Sequence, residues 1–261
     1  MDLEGKGVFL TGGGRGVGRA MVEALLDKGA RVLFCEVNED TGRDTVTELH
    51  TKYGDKAFQA AVSAFGAVDI CVNNAAIANE SMWDTMIAVN QTAQIRGSLL
   101  AYDHMRRDKG GRGGVIINVA SMSGFFYGSF WNPVYTATKH AMVAFTSCMG
   151  ENPENSSRGV RWGCLCTMAV DTPLGAQGRP HLYELEKAQE EWEQNPVEKL
   201  KPSEVAEAFI AQLQDETNNG AVMKVGKEEG KPYHQLVVVD TSTRPYDRMV
   251  YKEKVFLEPH Q

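Results

Sequence analysis

The sequence predicts a single domain of the α/β class, a doubly wound parallel sheet of Rossmann-like form. Three observations carry this expectation. Apolar runs at residues 8–10, 31–36, 67–72, 114–119, 160–166 and 221–225 read as buried strands, and helical apolar spacing near 80–109, 134–149 and 203–215 separates the later ones. A glycine-rich turn, Thr11-Gly12-Gly13-Gly14-Arg15-Gly16-Val17-Gly18, follows the first run and opens an amphipathic helix carrying Ala20, Met21, Ala24, Leu25 and Leu26. The chain, 261 residues with 43% hydrophobic and 23% charged, can bury one substantial core, and no linker or low-complexity stretch divides it.

Taken in order, the first strand and its turn set the chemistry. Glycines are needed where backbone turns tightly and must approach a pyrophosphate, and the helix that follows points unpaired N–H groups at the anion. The second strand ends at Glu36, 18 positions after Gly18. A carboxylate there accepts from an adenosine 2′-hydroxyl and repels a 2′-phosphate, which favours NAD over NADP and disfavours an NADPH-dependent carbonyl reductase. In an open sheet of this kind ligands sit beyond the strand C-termini, so Ser121, just after the run ending at Val119, is expected near Tyr135 at the start of the next helix.

If residues 134–149 are helical, as Ala137, Ala141, Met142, Phe145 and Met149 suggest, then Tyr135 and Lys139 share one helical face. The cation favours phenolate, and a lowered phenol pKa suits a general base near neutral pH, where free tyrosine at about 10 stays protonated. Alone, this spacing reads equally as a solvated helix face.

Composition narrows the classes. A net charge of −7 argues against nucleic acid as a partner. No signal-peptide pattern opens the chain and no apolar run approaches the roughly 20 residues needed to span a bilayer, so the cytoplasm is expected. Five cysteines, an odd number, fit a reducing compartment. Cys35 and Cys71 read as small hydrophobes in buried strands, Cys164-x-Cys166 lacks a second ligand pair nearby, and no metal site is expected.

Together the glycine turn at 11–18, Asn73-Asn74-Ala75-Ala76, Asn90, Ser121 and Tyr135-x-x-x-Lys139 resemble the classical short-chain dehydrogenase/reductase family over about residues 5–226. The resemblance implies one dinucleotide-binding catalytic domain over 1–261, with 241–261 as a candidate C-terminal extension, and NAD as cofactor. It implies that Asn90, Ser121, Tyr135 and Lys139 are catalytic. Gly12, Arg15, Gly16, Val17, Gly18, Glu36, Asn74, Ala75, Val170 and Thr172 would hold the cofactor with Tyr135 and Lys139, and Ser121, Asn132 and Tyr135 would meet the substrate. Ser121 would polarise the substrate oxygen, Tyr135 take its proton, Lys139 lower the tyrosine pKa, and Asn90 anchor a water through which the proton leaves. Taken singly, Ser121 reads equally as a strand-end turn residue and Asn90 as a helix hydrogen-bonding residue.

The implied reaction is oxidation of a secondary alcohol to a ketone by a homodimer. An aromatic loop (Phe125, Phe126, Tyr127, Phe130, Trp131) and a candidate lid (Leu174, Leu182, Tyr183, Leu185, Trp192) suit a hydroxylated fatty acid or prostaglandin-like substrate, and read otherwise as core or subunit interface.

Departures from the family pattern are equally visible. Only 33 positions separate Glu36 from Asp69, too few for two helices and an intervening strand, so one edge strand is expected to be missing between 37 and 68. That loss removes a wall of the adenine site. Thr167-Met168 stands where the family has Pro-Gly, and Met168 adds bulk where nicotinamide is expected. Ser121 and Tyr135 lie 14 apart, one more than expected; Ala76 replaces a glycine; and Pro153 interrupts a normally helical region. These keep alive an alternative, a catalytically weak or inactive homologue that acts as a binding protein.

Overall fold

The computed structural model describes residues 1–53, 66–125, 132–176, 198–228, 231–240 and 250–255. Its strands are β1 (Gly7–Thr11), β2 (Arg31–Cys35), β3 (Ile70–Asn73), β4 (Gly114–Val119), β5 (Val160–Thr167), β6 (Ala221–Glu228), β7 (Lys231–Asp240) and β8 (Val250–Val255). They form one sheet in the order β2-β1-β3-β4-β5-β6-β7-β8. The first six pair in parallel; β7 and β8 run antiparallel, with Val222 opposite Val237 and Val237 opposite Glu253. The Val/Ile/Leu-rich β3 and β4 are buried on both faces, as helices packed on each side require.

One face is covered by α1 (Gly16–Asp27) and the C-terminal helix α8 (Pro202–Gln214), where Met21, Leu25, Phe209 and Leu213 pack on Val8, Leu10 and Val225 with almost no exposure. The opposite face carries a long segmented helix: α3 (Trp83–Ile87), a π turn (Ala88–Ala93) and α4 (Gln94–Met105). Beside it lies α5 (Pro133–Glu151). Trp162 of β5 is fully buried there, edge-on to Phe145 at 5.9 Å and tilted against Tyr102 at 5.7 Å. The remaining helices are α2 (Glu39–Tyr53), α6 (Pro153–Ser157) and α7 (Pro173–Ala176). The strand order reverses between β1 and β3, which opens a crevice at their C-terminal ends.

Several expectations are corrected or sharpened. The third strand begins at Ile70 rather than residue 67. Among the described residues β2 has a single neighbour and forms the sheet edge, in line with a lost outer strand; residues 54–65 lie outside the described set. That edge position explains why Cys35, expected to be buried, is exposed, while Cys71 on the inner β3 is buried. The sheet also continues past residue 225 into β7 and β8, so part of the expected C-terminal extension, residues 250–255, belongs to it. Pro153 ends α5 as anticipated, and Asn152 caps the short α6 by accepting from the Glu154 N–H at 2.9 Å.

Candidate active site

The glycine turn closes on itself so tightly that side chains are excluded. Gly12 holds φ +71°, and a Cβ on Gly18 would lie 1.9 Å from the Gly12 carbonyl oxygen. Opposite stand Asn74 and Ala75, which directly follow β3: the Asn74 amide donates to the carbonyls of Thr11 and Gly12 at 3.0 Å, and the Thr11 hydroxyl accepts from both their N–H groups. Arg15 is the N-cap of α1 with an exposed side chain that does not cap, and no acidic residue occupies the first turn. Val17 packs into the core just behind it. The helix N-terminus thus offers N–H groups to an anion in front of a glycine floor.

Glu36 follows β2 at the far side of this turn. Its carboxylate accepts from Gly14 N–H at 3.2 Å, Val37 N–H at 2.9 Å and Asn38 N–H at 3.2 Å. A Cβ on Gly14 would stand 2.7 Å from the Glu36 side chain, so any larger residue there would push that carboxylate aside. Thr172 closes the cleft from the other side, its methyl 3.1 Å from where a Gly16 Cβ would be, and its hydroxyl lies 3.5 Å from the Val170 carbonyl. The close-approach glycines, the uncapped helix and the half-buried acid fit an adenine dinucleotide.

The catalytic candidates converge at the C-terminal ends of β4 and β5. Lys139 is 1% exposed, which disposes of a solvated helix face. Its ammonium donates to the Val119 carbonyl at 3.0 Å and lies 5.4 Å from the Tyr135 ring centroid. Burial pulls the Lys139 pKa down to about 8, a shift opposed by the adjoining Cys166 and Cys164 thiols. Burial raises the Cys166 thiol well above its ordinary value.

Ser121 follows β4 by two residues, in extended backbone. Its hydroxyl accepts from Ser123 N–H at 3.2 Å and stands 3.5 Å from the Thr167 carbonyl. The tight turn it starts, Met122–Gly124, packs directly on α5: a Cβ on Gly124 would be 2.8 Å from the Lys139 carbonyl oxygen. Asn90 is fully buried in the π turn, where its amide donates to the Ile77 carbonyl at 2.8 Å and accepts from Ile77 N–H at 2.9 Å. It also reaches the Thr138 hydroxyl at 3.4 Å.

Asn132 is buried at the start of α5, where its carbonyl accepts from Thr136 N–H and its side-chain oxygen from the Thr136 hydroxyl. Met168 turns onto β6: a Cβ on Gly226 would be 2.8 Å from its sulfur, so the bulk expected to trouble the site is received by that glycine and by the core. Of the aromatic loop only Phe125 is among the described residues, and of the lid only Leu174.

Sequence reasoning missed two groups. Glu80, 3% exposed, accepts from the N–H groups of Val134 and Tyr135, 54 and 55 positions away. A buried amide and hydroxyl network also joins Asn73, Ser98, Asn118 and Thr146 at 2.9–3.0 Å beneath the site. Asn73 was legible as part of Asn-Asn-Ala; no local signal marks the others.

Fold and site together define a dinucleotide-binding α/β oxidoreductase, and the chain belongs to the short-chain dehydrogenase family, whose profile matches residues 6–182. Among its relatives is the 15-hydroxyprostaglandin dehydrogenase of Bos taurus, named for NAD(+), 32% identical over 260 residues that cover 88% of this chain and 94% of the relative. The Homo sapiens enzyme of the same name is 31% identical over equal shares. A sorbitol dehydrogenase of Cereibacter sphaeroides is 34% identical over 58% of this chain and 66% of its own. The crystal structure of gox2181 shares the fold, with TM-score 0.68 and 22% identity over 85% of this chain and 94% of that one.

Proposed function

We propose that this chain is an NAD-dependent dehydrogenase that oxidises a secondary alcohol to a ketone, on a hydroxylated fatty acid or prostaglandin-like lipid. The observation that carries the reading is the buried Lys139 ammonium 5.4 Å from the Tyr135 ring, beside a crevice floored by close-approach glycines. The relatives named for 15-hydroxyprostaglandin and NAD(+) support the substrate class and cofactor. Residues of the glycine turn (Gly12, Arg15, Gly16, Val17, Gly18) with Glu36, Asn74, Ala75, Val170 and Thr172 hold NAD, which when bound accepts the hydride from the carbinol carbon.

The protein's own residues supply alignment and proton transfer. Ser121 donates to the substrate oxygen, Asn132 adds a polar contact, and Tyr135 as phenolate takes the hydroxyl proton. Lys139 favours that phenolate. The Asn90 side chain, engaged with Ile77, fixes the π turn, and the backbone there holds the water that carries the proton away. The enzyme works in the cytoplasm as a homodimer through α4, whose Leu99 and Leu100 are 45% and 68% exposed. Among the described residues no helix is long and apolar enough to cross a membrane.

Calorimetric titration with NAD and NADH, with NADP as control, tests the cofactor; assays on hydroxylated lipids then test turnover. Micromolar NAD(H) affinity with weaker NADP is expected. A folded sample that binds neither favours the alternative, a binding protein without catalysis, for which the edge position of β2 among the described residues is the supporting observation.

A further inference from the structure

We infer that Glu80 is a positioning residue for the base, a carboxylate that caps the helix carrying Tyr135 and ties it to the element carrying Asn90. This rests on the dehydrogenase reading above. Tyr135 occupies the first turn of α5, where backbone N–H groups lack helical partners and helices fray. Pro133 has no N–H, and Thr136 N–H donates to the Asn132 carbonyl at 2.9 Å. The remaining two, Val134 and Tyr135, donate to the two Glu80 oxygens at 3.1 and 2.9 Å. Asn132, the residue at the cap position, makes no side-chain cap. Both free N–H groups that follow Pro133 in this turn are thus satisfied by one residue distant in sequence.

The link closes a ring. Glu80 lies three residues after Ile77, whose N–H and carbonyl are both bonded to the Asn90 side chain. From Tyr135 the ring returns through its own carbonyl, which accepts from the Thr138 hydroxyl at 2.7 Å, and through Thr138 to the Asn90 amide at 3.4 Å. With 3% exposure, the carboxylate holds this geometry out of water, where a charge-assisted bond is stronger than a neutral one. The base and the proposed proton exit are thereby set by one rigid constellation, and a displacement of Tyr135 of about 1 Å would lower turnover by roughly 100-fold.

Two measurements test this. Hydrogen exchange reads the cap without turnover: in the wild-type chain the Val134 and Tyr135 amides are expected to exchange at least about tenfold more slowly than in Glu80→Gln. Steady-state assay with NAD and a hydroxylated lipid reads the consequence: Glu80→Gln is expected to lose about tenfold or more in kcat, with KM and the NAD Kd within about twofold. Wild-type kcat in that variant, or a change confined to KM or Kd, overturns the role. Equal exchange in both proteins, or unprotected amides in the wild type should the variant not fold, overturns the cap. Absence of NAD-linked turnover in the wild type defeats the dehydrogenase reading instead, and the exchange result still decides the cap.

Discussion

The two ends of the nucleotide crevice are built differently. At the catalytic end, Lys139, Asn90 and the network through Asn73, Ser98, Asn118 and Thr146 are buried, and each polar group is held by partners from other elements. At the adenosine end, β2 is the sheet edge among the described residues, Cys35 is exposed, and Glu36 is held by its own following backbone and one glycine N–H. The difference implies that chemistry and cofactor affinity are separable in this chain: positional precision is concentrated at the proposed site of proton transfer, and among the described residues the nucleotide end has fewer buried polar bonds.

The largest effect that can break this comparison is at Tyr135. Tyr135→Phe removes the proposed proton acceptor and is expected to lower kcat about 1,000-fold while NAD affinity stays within about twofold. Near-wild-type turnover, measured in the steady state, would remove Tyr135 from the mechanism.

Lys139→Met follows. Turnover is expected to fall about 100-fold, since the phenolate loses its cation. Stability is expected to move the other way. The Lys139 pKa lies at about 8 in the folded protein against an ordinary 10.5, so the penalty for burying the ammonium is fully present below about 8. It is relieved as pH rises from about 8 towards 10.5, where the unfolded chain binds the extra proton. Urea unfolding at pH 7 should show Lys139→Met more stable than wild type by on the order of 1–3 kcal/mol, with the gap narrower at pH 9. A less stable variant at pH 7 would mean that the Val119 hydrogen bond and the ring contact outweigh desolvation.

Asn118→Leu tests the floor of the catalytic end. Asn118 accepts from Asn73 and Ser98 and donates to Thr146, all buried, so its loss leaves several unpaired groups and should destabilise by about 2 kcal/mol. At the other end, Glu36→Ala is expected to weaken NAD by about tenfold, as one charge-assisted pair to a ribose hydroxyl goes, and to narrow the preference over NADP. Unchanged discrimination in calorimetry would place cofactor choice elsewhere.

What the sequence disclosed of these two ends follows from the range of the interactions. The glycine turn, Glu36 after its strand and the Tyr135–Lys139 face are local patterns with fixed spacing, and each stands where periodicity put it. Glu80 could not be found that way, because its partners lie 54 and 55 residues on and neither end carries a signal. The Asn118 network likewise joins β3, β4, α4 and α5, and exists only once the sheet has assembled. Cys35 misled because an apolar run does not say whether its strand is central or at an edge. The run at 236–239 carries a strand pattern of its own, but it lies beyond the stretch near 226 where the family resemblance ends, so nothing in that resemblance implies the antiparallel β7.

The smallest expected effect bears most directly on the adenosine end. Thr45 is 3% exposed on α2, and its hydroxyl donates to the Gly14 carbonyl at 2.6 Å. Gly14 in turn donates its N–H to Glu36, so a single threonine steadies both the glycine turn and the acid proposed to read the ribose. Thr45→Val keeps the shape and removes only the hydroxyl, leaving the Gly14 carbonyl buried against a methyl; the loss should be about 1 kcal/mol, read as a fivefold weaker NAD Kd or as lower stability. If the turn relaxes in the free protein and is re-formed by the cofactor, the loss falls on affinity with unchanged unfolding. If the turn is rigid before binding, the loss falls on stability with unchanged affinity. The split between calorimetry and denaturant unfolding therefore measures whether this end is preorganised, as the catalytic end is by its buried bonds, or is completed by NAD.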